Sequence, residues 1–434
     1  MSDESRPETP DGAPDAAPKR RAKPKRKHTV GRVVLISAVV LALVTGLSTV
    51  YFVRYLNGNI EGISTGGLDE SERPEEVYTG NGQPLDILVM GSDSRDCEGC
   101  EIDQEGGGGS DTTILVHLSA DRSRAYAVSI PRDSIVDRPE DGCGSPAATD
   151  VIWNAAFSVG GPLCTMRQLE ENTGIRVEHF IEIDFASFGS MVDAVDGVNV
   201  CVPYDIVDKP RQIFVPKGNP SRLTGDEALD YVRARYVGPL IQRNDISRIR
   251  RQQEFIGALV REVLSAGTLT RLDRVVKFLN AATKSLTTDD EFANVTRLGK
   301  VAMQLQGIGL DKIQFVTLPT AYYTRDSGFF GRVYWTDQAK EIWKLIAEDK
   351  ELPAKLISGT SVSAEGPPGS SQSPSAGGSS GSTPSGTGSS TPTQTPTQTP
   401  TETPTETPTT EAPTSPSTPT ETTDPEDQIY GVCA

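Results

Sequence analysis

Hydrophobic positions are spread very unevenly along this chain of 434 residues. Residues 33–53 contain no charged side chain, and this run is about as long as a bilayer core is thick, because a spanning helix needs roughly 20 apolar residues. Polar residues dominate both ends, with Pro and Lys over 1–32 and Ser, Thr and Pro over 357–434. Such compositions cannot bury a core. The pattern therefore predicts a membrane helix over 33–55 and disordered tails at both ends.

Strand-like and helix-like patterns alternate between residues 84 and 356. Runs rich in apolar and β-branched residues predict strands in LDILVM, TTILVHL, AYAVSI, HFIEID, VNVCV and IQFVTL. Apolar residues at helical spacing predict helices in CTMRQLEENTG, FASFGSMVDAV, GDEALDYV, ISRIRRQQEFIGALVREVLSAG, residues 269–306 and TDQAKEIWKLIAED. The alternation predicts one mixed α/β domain over 84–356, large enough to bury a core. Residues 56–83 then form a linker between the membrane helix and the domain.

Charged and aromatic residues near the membrane helix indicate how it is inserted. The basic run over 19–27 precedes the helix, and the positive-inside rule places such a run in the cytoplasm. A cleaved secretory signal would have a shorter apolar core followed by small residues, whereas this segment ends on Tyr51, Phe52 and Tyr55. We therefore predict an uncleaved single-pass anchor in the cell membrane. Its N-terminus is cytoplasmic, and the linker and the domain are extracytoplasmic.

Net charge and cysteine placement narrow the class of protein further. The formal net charge of -17 argues against nucleic acid as a partner, because phosphate contacts need a basic surface. An even number of cysteines on the oxidising side of a membrane indicates structural disulfides, although their pairing stays open. A C-x-x-C pair can alternatively serve redox or metal chemistry. The cysteines all follow the membrane helix: Cys97, Cys100, Cys143, Cys164, Cys201 and Cys433.

Charged loops adjoin three of the predicted strands. GSDSR carries Asp93 and Arg95, SDTT carries Asp111, and PRDS carries Arg132. Two carboxylates can hold magnesium, which prefers carboxylate and phosphate oxygens, and arginine forks match phosphate groups. In the alternative interpretation, Asp93 caps a turn, Asp111 starts a strand, and Arg132 pairs with Asp133 on the surface. The loops alone leave both interpretations open.

A second set of arginines lies further along the chain. In YVRARY, Arg233 and Arg235 are two residues apart, so they share a face only on extended chain. A common site therefore requires the helix GDEALDYV to end close to Val232. In SRIRRQQEF, Arg248 and Gln252 are four apart and share one helical face. Each arginine could instead belong to a solvated face, but several of them in an acidic chain with separate carboxylate loops favour a phosphate site.

The motifs occur in a fixed order along the chain: GSDSR, SDTTILVHL, SIPRDS, NAAFSVGGP, EIDFASFGSMVDAVDGV, LTGDEALDYVRARY and ISRIRRQQEF. Together they resemble the LytR-CpsA-Psr family over about residues 84–265, and the anchor and the Thr-Pro tail look like those of its actinobacterial members. The resemblance implies a mixed central β-sheet flanked by helices. It also implies a phosphotransferase that moves a glycopolymer from a polyprenyl-pyrophosphate carrier onto peptidoglycan, forming a phosphodiester in the cell wall.

The resemblance also implies roles for individual residues. Asp93 and Asp111 match the ligands of a Mg²⁺ cofactor, Arg95 matches a substrate-binding loop arginine, and Asp245 fits the acidic position before the arginine helix. The residues that match the pyrophosphate-binding set are Arg132, Arg233, Arg235, Arg248 and Gln252. Those expected to carry catalysis are Asp93, Asp111, Arg132, Arg233 and Arg235. Candidates for the family's lipid groove, which can equally be core aromatics, are Phe180, Phe185, Phe188 and Phe255.

One departure from the family pattern lies at Gly109, where relatives usually carry an arginine before Ser-Asp-Thr. Either a neighbour such as Arg138 supplies the missing donor, or activity and substrate preference change. Three alternatives to a ligase follow: a hydrolase of the same pyrophosphate-linked precursor, a non-catalytic module that binds wall polymer or lipid, and a transcriptional regulator. The regulator is disfavoured because the chain shows no recognition fold for nucleic acid. Ligase and hydrolase would use the same residues, so the sequence does not separate them.

Overall fold

The computed structural model describes residues 29–76, 82–92, 110–235 and 245–364. Several predicted features lie outside these ranges: Asp93, Arg95, Cys97, Cys100, Gly109, Cys433 and most of both terminal tails.

The apolar run near the start of the chain forms one helix, α1, over Thr29–Asn57. Val30–Asn57 is long enough to cross a membrane, and its most apolar stretch of 18 residues has a mean hydropathy of 2.5. The large apolar side chains over residues 30–50 are exposed, as lipid-facing residues would be. The hydroxyls of Thr45 and Thr49 donate to carbonyl oxygens four residues earlier, at 2.8 and 2.9 Å, so both are hydrogen-bonded within the helix. These features suit a membrane anchor.

In the described part of the chain, an eight-stranded mixed sheet forms the centre of the domain. In spatial order its strands are β1 (Glu61–Ile63), β12 (Leu286–Asp289), β7 (His179–Asp184), β2 (Leu85–Ser92), β3 (Ser110–Leu118), β4 (Ala125–Ile130), β13 (Ile313–Thr317) and β16 (Ser361–Ser363). β3 is antiparallel to β2 and β4, whereas β2 is parallel to β7 and β4 is parallel to β13. The predicted mixed central sheet is confirmed.

In the described ranges, helices and four small two-stranded sheets surround this sheet. The helices are α2 (Ala155–Thr173), α3 (Phe185–Ala194), α4 (Gly225–Arg233), α5 (Asp245–Leu264), α6 (Ala266–Leu269), α7 (Leu272–Lys284), α8 (Val295–Ile308), α9 (Asp337–Ala347) and α10 (Ala354–Ile357). The paired strands are β5 (Ile135–Arg138) with β6 (Ala148–Ile152), β8 (Val198–Val202) with β11 (Gly218–Leu223), β9 (Ile206–Asp208) with β10 (Ile213–Val215), and β14 (Thr320–Tyr322) with β15 (Val333–Trp335).

One stretch predicted as helical contains a strand. Residues 269–306 include α7 and part of α8, but β12 interrupts them. Thr287 pairs with Glu61 of β1 on one side and with Glu182 of β7 on the other. The helix prediction was wrong there because pairing with two distant strands outweighs the local helical pattern.

Apolar side chains pack against both faces of the sheet. Side chains alternate along a strand, and in β3 Leu115 joins one buried cluster with Trp153 and Trp343. Its neighbour Ile114 joins a different cluster, which contains Phe315. Leu115 is fully buried, so its replacement by alanine would cost ~2–5 kcal/mol. Buried on both faces, the sheet is a rigid support for residues at its ends.

The segment that precedes β2 is part of the domain's packing. β1, within the range predicted as a linker, pairs in parallel with β12. Leu68 is buried in the cluster around Trp153. Arg73 forms an ion pair with the buried Glu170 at 2.8 Å. These contacts fix the chain up to Glu76 on the domain surface.

A disulfide joins the loop between β5 and β6 to α2. Cys143 and Cys164 are bonded, and Cys201 is disulfide-bonded as well. The predicted structural use of these three cysteines is confirmed. Gly160 lies against the bridge, because a Cβ there would meet the Cα of Cys143 at 2.8 Å.

Candidate functional site

One edge of the central sheet gathers two of the predicted site loops. Because β3 is antiparallel to both β2 and β4, its start lies beside the ends of these two strands. Asp111 is the second residue of β3, and Arg132 follows two residues after the end of β4. The register places Thr113 opposite Ile130. Strand order alone therefore brings Asp111 and Arg132 together.

The end of α4 brings Arg235 to this edge. α4 ends at Arg233, one residue after Val232, which agrees with the helix end that a shared site requires. Ala234 then adopts φ -56° and ψ 125°, so Arg235 continues along non-helical chain. The backbone N–H of Arg235 donates to Oδ2 of the buried Asp208 at 2.8 Å. This bond fixes the backbone from which the Arg235 side chain extends.

Three guanidinium groups from separate elements contact the carboxylate of Asp111. Arg132 Nη1 donates to Oδ1 at 2.7 Å, and Arg235 Nη2 donates to Oδ2 at 2.7 Å. Arg248 Nη1 lies 3.4 Å from Oδ2, and its Nη2 donates to the Asp111 carbonyl oxygen at 3.1 Å. Asp245 Oδ1 accepts from Arg248 Nη2 at 2.5 Å and lies 3.8 Å from Arg132 Nε. These five residues are called the arginine cluster, and its ionised groups leave one net positive charge.

The charges within the arginine cluster shift the pKa of its members. Burial raises the pKa of Asp111, but the positive charges of Arg248, Arg235 and Arg132 outweigh it and hold the pKa well below its usual range. For Arg132, burial lowers the pKa, but the negative charges of Asp111, Asp245 and Asp133 together with the hydrogen bond to Asp111 raise it above its usual value. For Arg235, burial and then the charge of Arg248 lower the pKa. An incoming anion would favour the charged form of Arg235.

α5 braces the extended chain that follows α4. Arg251, which is buried, donates to the carbonyl oxygen of Ala234, and Gln252 Nε2 lies 3.4 Å from the carbonyl oxygen of Val232. Two neighbouring residues of one helix thus hold both sides of Arg233.

α4 also packs closely against α3. Gly225 allows this close approach, because a Cβ there would meet the Gly189 carbonyl oxygen at 2.5 Å.

The site has the charge and geometry of an anion-binding centre, and comparison with known proteins gives its family. The sequence profile of the LytR-CpsA-Psr family matches residues 52–351, more than half of the chain. The chain belongs to the LytR-CpsA-Psr family.

Individual relatives share part of their length with this LytR-CpsA-Psr protein. The cell wall biosynthesis protein LcpA of Corynebacterium glutamicum is 31% identical over 329 residues, which are 67% of this chain and 60% of LcpA. TagV of Bacillus subtilis, named a polyisoprenyl-teichoic acid–peptidoglycan teichoic acid transferase, is 30% identical over 254 residues, which are 57% of this chain and 61% of TagV. The chain thus spans about three-fifths of the length of these relatives. A solved Streptococcus agalactiae structure, 24% identical with a TM-score of 0.50, covers 62% of this chain and 89% of its own, and has the same fold.

Not all predicted site residues of this LytR-CpsA-Psr chain contact Asp111. Arg233 is half-buried at the end of α4. Burial of Asp230 raises the pKa of that carboxyl group, and the positive charge of Arg233 partly offsets this rise. Gln252 contacts backbone rather than the carboxylate. Asp93 and Arg95 lie outside the described residues. Within the described ranges, the direct contacts to Asp111 come from the other predicted arginines.

Arg138 does not join the arginine cluster. It ends β5, and its Nη2 donates to the Pro146 carbonyl oxygen at 3.2 Å and lies 3.5 Å from the Ser145 hydroxyl. Among the described residues, these contacts place the Arg138 side chain against the loop between β5 and β6, and they give no support to the alternative in which it supplies the donor missing at position 109.

The candidate groove phenylalanines whose side chains are described divide between two buried clusters. Phe180 is fully buried in the cluster around Trp153, whereas Phe255 is fully buried in a second cluster with Tyr231. Phe188 packs against Phe255, with 5.4 Å between the ring centroids. The side chain of Phe185 lies outside the described residues. In the described structure, Phe180 and Phe255 are core aromatics.

Several residues around the site escaped the sequence analysis. Arg251 was overlooked because a buried arginine that binds a carbonyl oxygen has no sequence signature of its own. Arg332, in the loop between β14 and β15, forms an ion pair with Asp133. Burial, followed by the charges of Asp245 and Asp133, raises the pKa of the Tyr322 hydroxyl. Tyr322 and Arg332 come from the C-terminal part of the domain, beyond the stretch that carries the family motifs.

The described residues fit magnesium only as part of a larger ligand set. Asp111 supplies an ionised carboxylate, and Oδ2 of Asp245 is buried without a hydrogen-bond partner among the described residues. Both Asp111 oxygens, however, contact guanidinium groups. No group of three His, Cys, Asp or Glu that could hold a metal occurs within the described ranges. Magnesium sites of this kind commonly take substrate phosphate oxygens and waters as further ligands.

Proposed function

We propose that this chain is a phosphotransferase that moves a glycopolymer from a polyprenyl-pyrophosphate carrier onto a peptidoglycan hydroxyl. The observation that supports this most directly is the convergence of Arg132, Arg235 and Arg248 on the single carboxylate of Asp111. Arginine forks match phosphate geometry, and the net positive charge favours an anion of higher charge than one carboxylate. TagV, a relative by sequence, is named for transfer of teichoic acid to peptidoglycan.

The reaction is a displacement at phosphorus. The acceptor hydroxyl oxygen forms a bond to the phosphorus that carries the saccharide. The bond from that phosphorus to the bridging oxygen breaks, and polyprenyl phosphate leaves with the bridging oxygen. Negative charge grows on the leaving phosphate, and preorganised guanidinium groups stabilise such charge. Arg235 suits this role because its guanidinium group lies beside those of Arg132 and Arg248 on the Asp111 carboxylate.

Asp111 organises the cluster rather than removing the acceptor proton. A general base works best when its pKa lies near the working pH, whereas the arginines hold the pKa of Asp111 far below that. Asp111 with Asp93 would hold magnesium, which when bound supplies further positive charge at the pyrophosphate. The proton of the acceptor hydroxyl then passes to another base or to water.

The reaction takes place on the outer side of the membrane. The exposed apolar helix α1 supports anchoring of the chain. Relatives named for cell-wall biosynthesis and teichoic acid transfer support a domain that faces the wall. The basic run before α1 supports a cytoplasmic N-terminus. A lipid carrier in the same membrane would then present its pyrophosphate to the domain.

The decisive experiment supplies the full-length protein with magnesium, a polyprenyl-pyrophosphate-linked saccharide and soluble peptidoglycan fragments. Mass spectrometry should detect a fragment joined to the saccharide through one phosphate. Arg248→Ala should abolish this product. Arg250→Ala, two residues further along α5, is the matched control, because Arg250 donates to the Gly359 carbonyl oxygen instead.

Other outcomes would contradict the proposal in distinct ways. Release of saccharide phosphate without a joined product would identify a hydrolase. Tight binding of the lipid without turnover would identify a binding protein. Equal loss of product in the Arg248 and Arg250 variants would show that the cluster has no special role.

A further inference from the structure

A second concave site lies beside the arginine cluster. A cavity of about 550 Å³ opens between β5, the end of α2 and the β14–β15 hairpin. Residues that line it include Ile135, Asn172, Tyr323, Tyr334, Trp335 and Lys340. Cavities of this volume are typical of small-molecule sites in which apolar walls carry a few polar groups.

Aromatic rings form much of the wall. Tyr323 and Tyr334 meet edge to face with 5.1 Å between ring centroids. Trp335 packs against Trp153 and Trp343, with centroid separations of 6.1 and 5.6 Å. Trp335 is thereby held by the core, whereas Tyr334 remains 41% exposed. The cavity thus has flat apolar surfaces supported by the buried part of the domain.

Hydrogen-bonding groups stand among these rings. Asn172 uses its amide N–H groups on two carbonyl oxygens, but its Oδ1 accepts only one hydrogen bond, from Asp137 N at 3.2 Å, in the described structure. Lys340 Nζ donates to Asp337 at 3.1 Å and has two further donors. A ligand in this cavity would therefore meet both donors and an acceptor.

Short chain connections link the cavity to the arginine cluster. Arg132 belongs to the cluster and Ile135 lines the cavity, and three peptide units separate them, so their Cα atoms lie at most ~11 Å apart. Ser134 bridges to Val333 of β15, and Arg332 beside it forms an ion pair with Asp133. One extended ligand can therefore reach both places.

We propose that this cavity binds a pyranose ring of a glycan whose reacting end lies at the arginine cluster. The flat C–H face of such a ring packs on the tyrosine and tryptophan faces, while its hydroxyl and amide groups meet Asn172 and Lys340. A lipid tail would leave these polar groups without partners, which is costly. The inference rests on the proposed function for the identity of the glycan, because donor and acceptor both contain such rings.

The test uses the full-length protein in detergent and measures binding rather than turnover. The probes are a soluble N-acetylglucosamine oligomer, a muramic-acid-containing peptidoglycan fragment, and the free saccharide of the donor. Tryptophan fluorescence follows each titration. Tyr334→Ala should weaken the preferred saccharide about tenfold, which corresponds to ~1.4 kcal/mol. Phe330→Ala is the matched control, because Phe330 is 64% exposed on the same hairpin and stacks with Arg325 outside the cavity.

Each outcome decides for or against the cavity. Preference for the muramic fragment identifies an acceptor subsite, and preference for the donor saccharide identifies a donor subsite. No binding of any probe, equal affinity in wild type and Tyr334→Ala, or equal loss in both variants overturns the proposal. Saccharide binding that depends on Tyr334 in a protein without transfer activity would retain the cavity as a glycan site and refute the proposed function alone.

Discussion

Asp208 and Asp111 hold Arg235 at its two ends. The backbone N–H of Arg235 donates to Oδ2 of Asp208 at 2.8 Å, and its Nη2 donates to Oδ2 of Asp111 at 2.7 Å. Asp208 is fully buried and also accepts from the backbone N–H of Arg211 at 3.4 Å. The buried Asp208 therefore fixes the backbone of Arg235, and Asp111 holds its guanidinium group.

This arrangement makes Asp208 a positioning residue. In Asp208→Asn the carboxylate that accepts from the Arg235 backbone is lost, and a hydrogen bond to a charged group contributes ~1.5–3 kcal/mol. We expect the affinity for inorganic pyrophosphate, measured by calorimetry on the full-length protein, to fall about tenfold or more. Asp205→Asn is the control, because Asp205 is exposed nearby and accepts from the Lys217 backbone N–H at 2.8 Å. Unchanged pyrophosphate affinity in Asp208→Asn would remove Asp208 from this role.

The centre of the arginine cluster was predictable from sequence because each part has a local signal. Asp111 opens an apolar strand, Arg132 follows another, and Arg248 lies on an amphipathic helix. Arg235 required only that α4 end near Val232, which it does. Such signals depend on neighbours within a few residues, so they can be read before the fold is known.

Other parts depend on distant partners. β14 and β15 have three residues each, too few for a strand pattern, and they exist because they pair with each other. The cavity wall formed by Tyr323, Tyr334 and Trp335 therefore had no sequence signal. Arg251 is similar, since the carbonyl oxygen that it binds lies on another helix end. Tertiary pairing decides these features, and a single sequence does not encode it locally.

Buried His117 should make the stability of the domain depend on pH. Its Nδ1 lies 2.8 Å from Asp86 Oδ1, and its Nε2 lies 3.3 Å from Asp349 Oδ1. Burial lowers its pKa, but the charge of Asp86 and the hydrogen bond to Asp349 raise it to about 9. Burial and then the charge of Asp86 raise the pKa of Glu178 to about 8. Both groups bind protons more tightly in the folded state than in the unfolded state.

Because folding raises the pKa of both groups, the domain should lose stability as pH rises. Stability from His117 is fully present below its unfolded pKa, near 6.5, and is lost as pH rises through about 9. The loss should approach ~3 kcal/mol for this group, and Glu178 adds a loss of the same sign. Thermal unfolding of the full-length protein should therefore occur at lower temperature as pH rises over this range. In His117→Gln the unfolding temperature should fall less steeply with pH. An equally steep fall in that variant would assign the effect to other groups.

The Cys143–Cys164 disulfide should stabilise the domain substantially. It closes a loop with a sequence separation of 21 residues. In the chain-entropy model, a loop of this size contributes ~3 kcal/mol to the free energy of unfolding. Replacing both cysteines by serine should lower the melting temperature by several degrees, as measured by calorimetry. A melting temperature equal to that of the wild type would mean that packing of α2 alone holds this loop.

Asp111→Asn should separate the effect of the arginines from that of magnesium. In the wild type, the Asp111 carboxylate occupies Arg132, Arg235 and Arg248, so pyrophosphate must compete with it. An asparagine removes one negative charge from the cluster. When magnesium is chelated, we expect pyrophosphate to bind about tenfold more tightly to the variant than to the wild type. This ratio corresponds to ~1.4 kcal/mol of binding free energy.

When magnesium is added, the order of the pyrophosphate affinities should reverse, so that the wild type binds more tightly than Asp111→Asn. The wild type should gain affinity for pyrophosphate because an ionised carboxylate can bind the metal, whereas the amide of Asp111→Asn binds it poorly. Asp133→Asn is the control, because Asp133 pairs with Arg332 and lies 3.8 Å from Arg132 Nε, but makes no described contact with Asp111. Weaker binding by Asp111→Asn without magnesium would mean that positioning of the arginines by the carboxylate outweighs its competition with phosphate. If magnesium raises the pyrophosphate affinity of the wild type and of Asp111→Asn equally, Asp111 does not belong to the metal site.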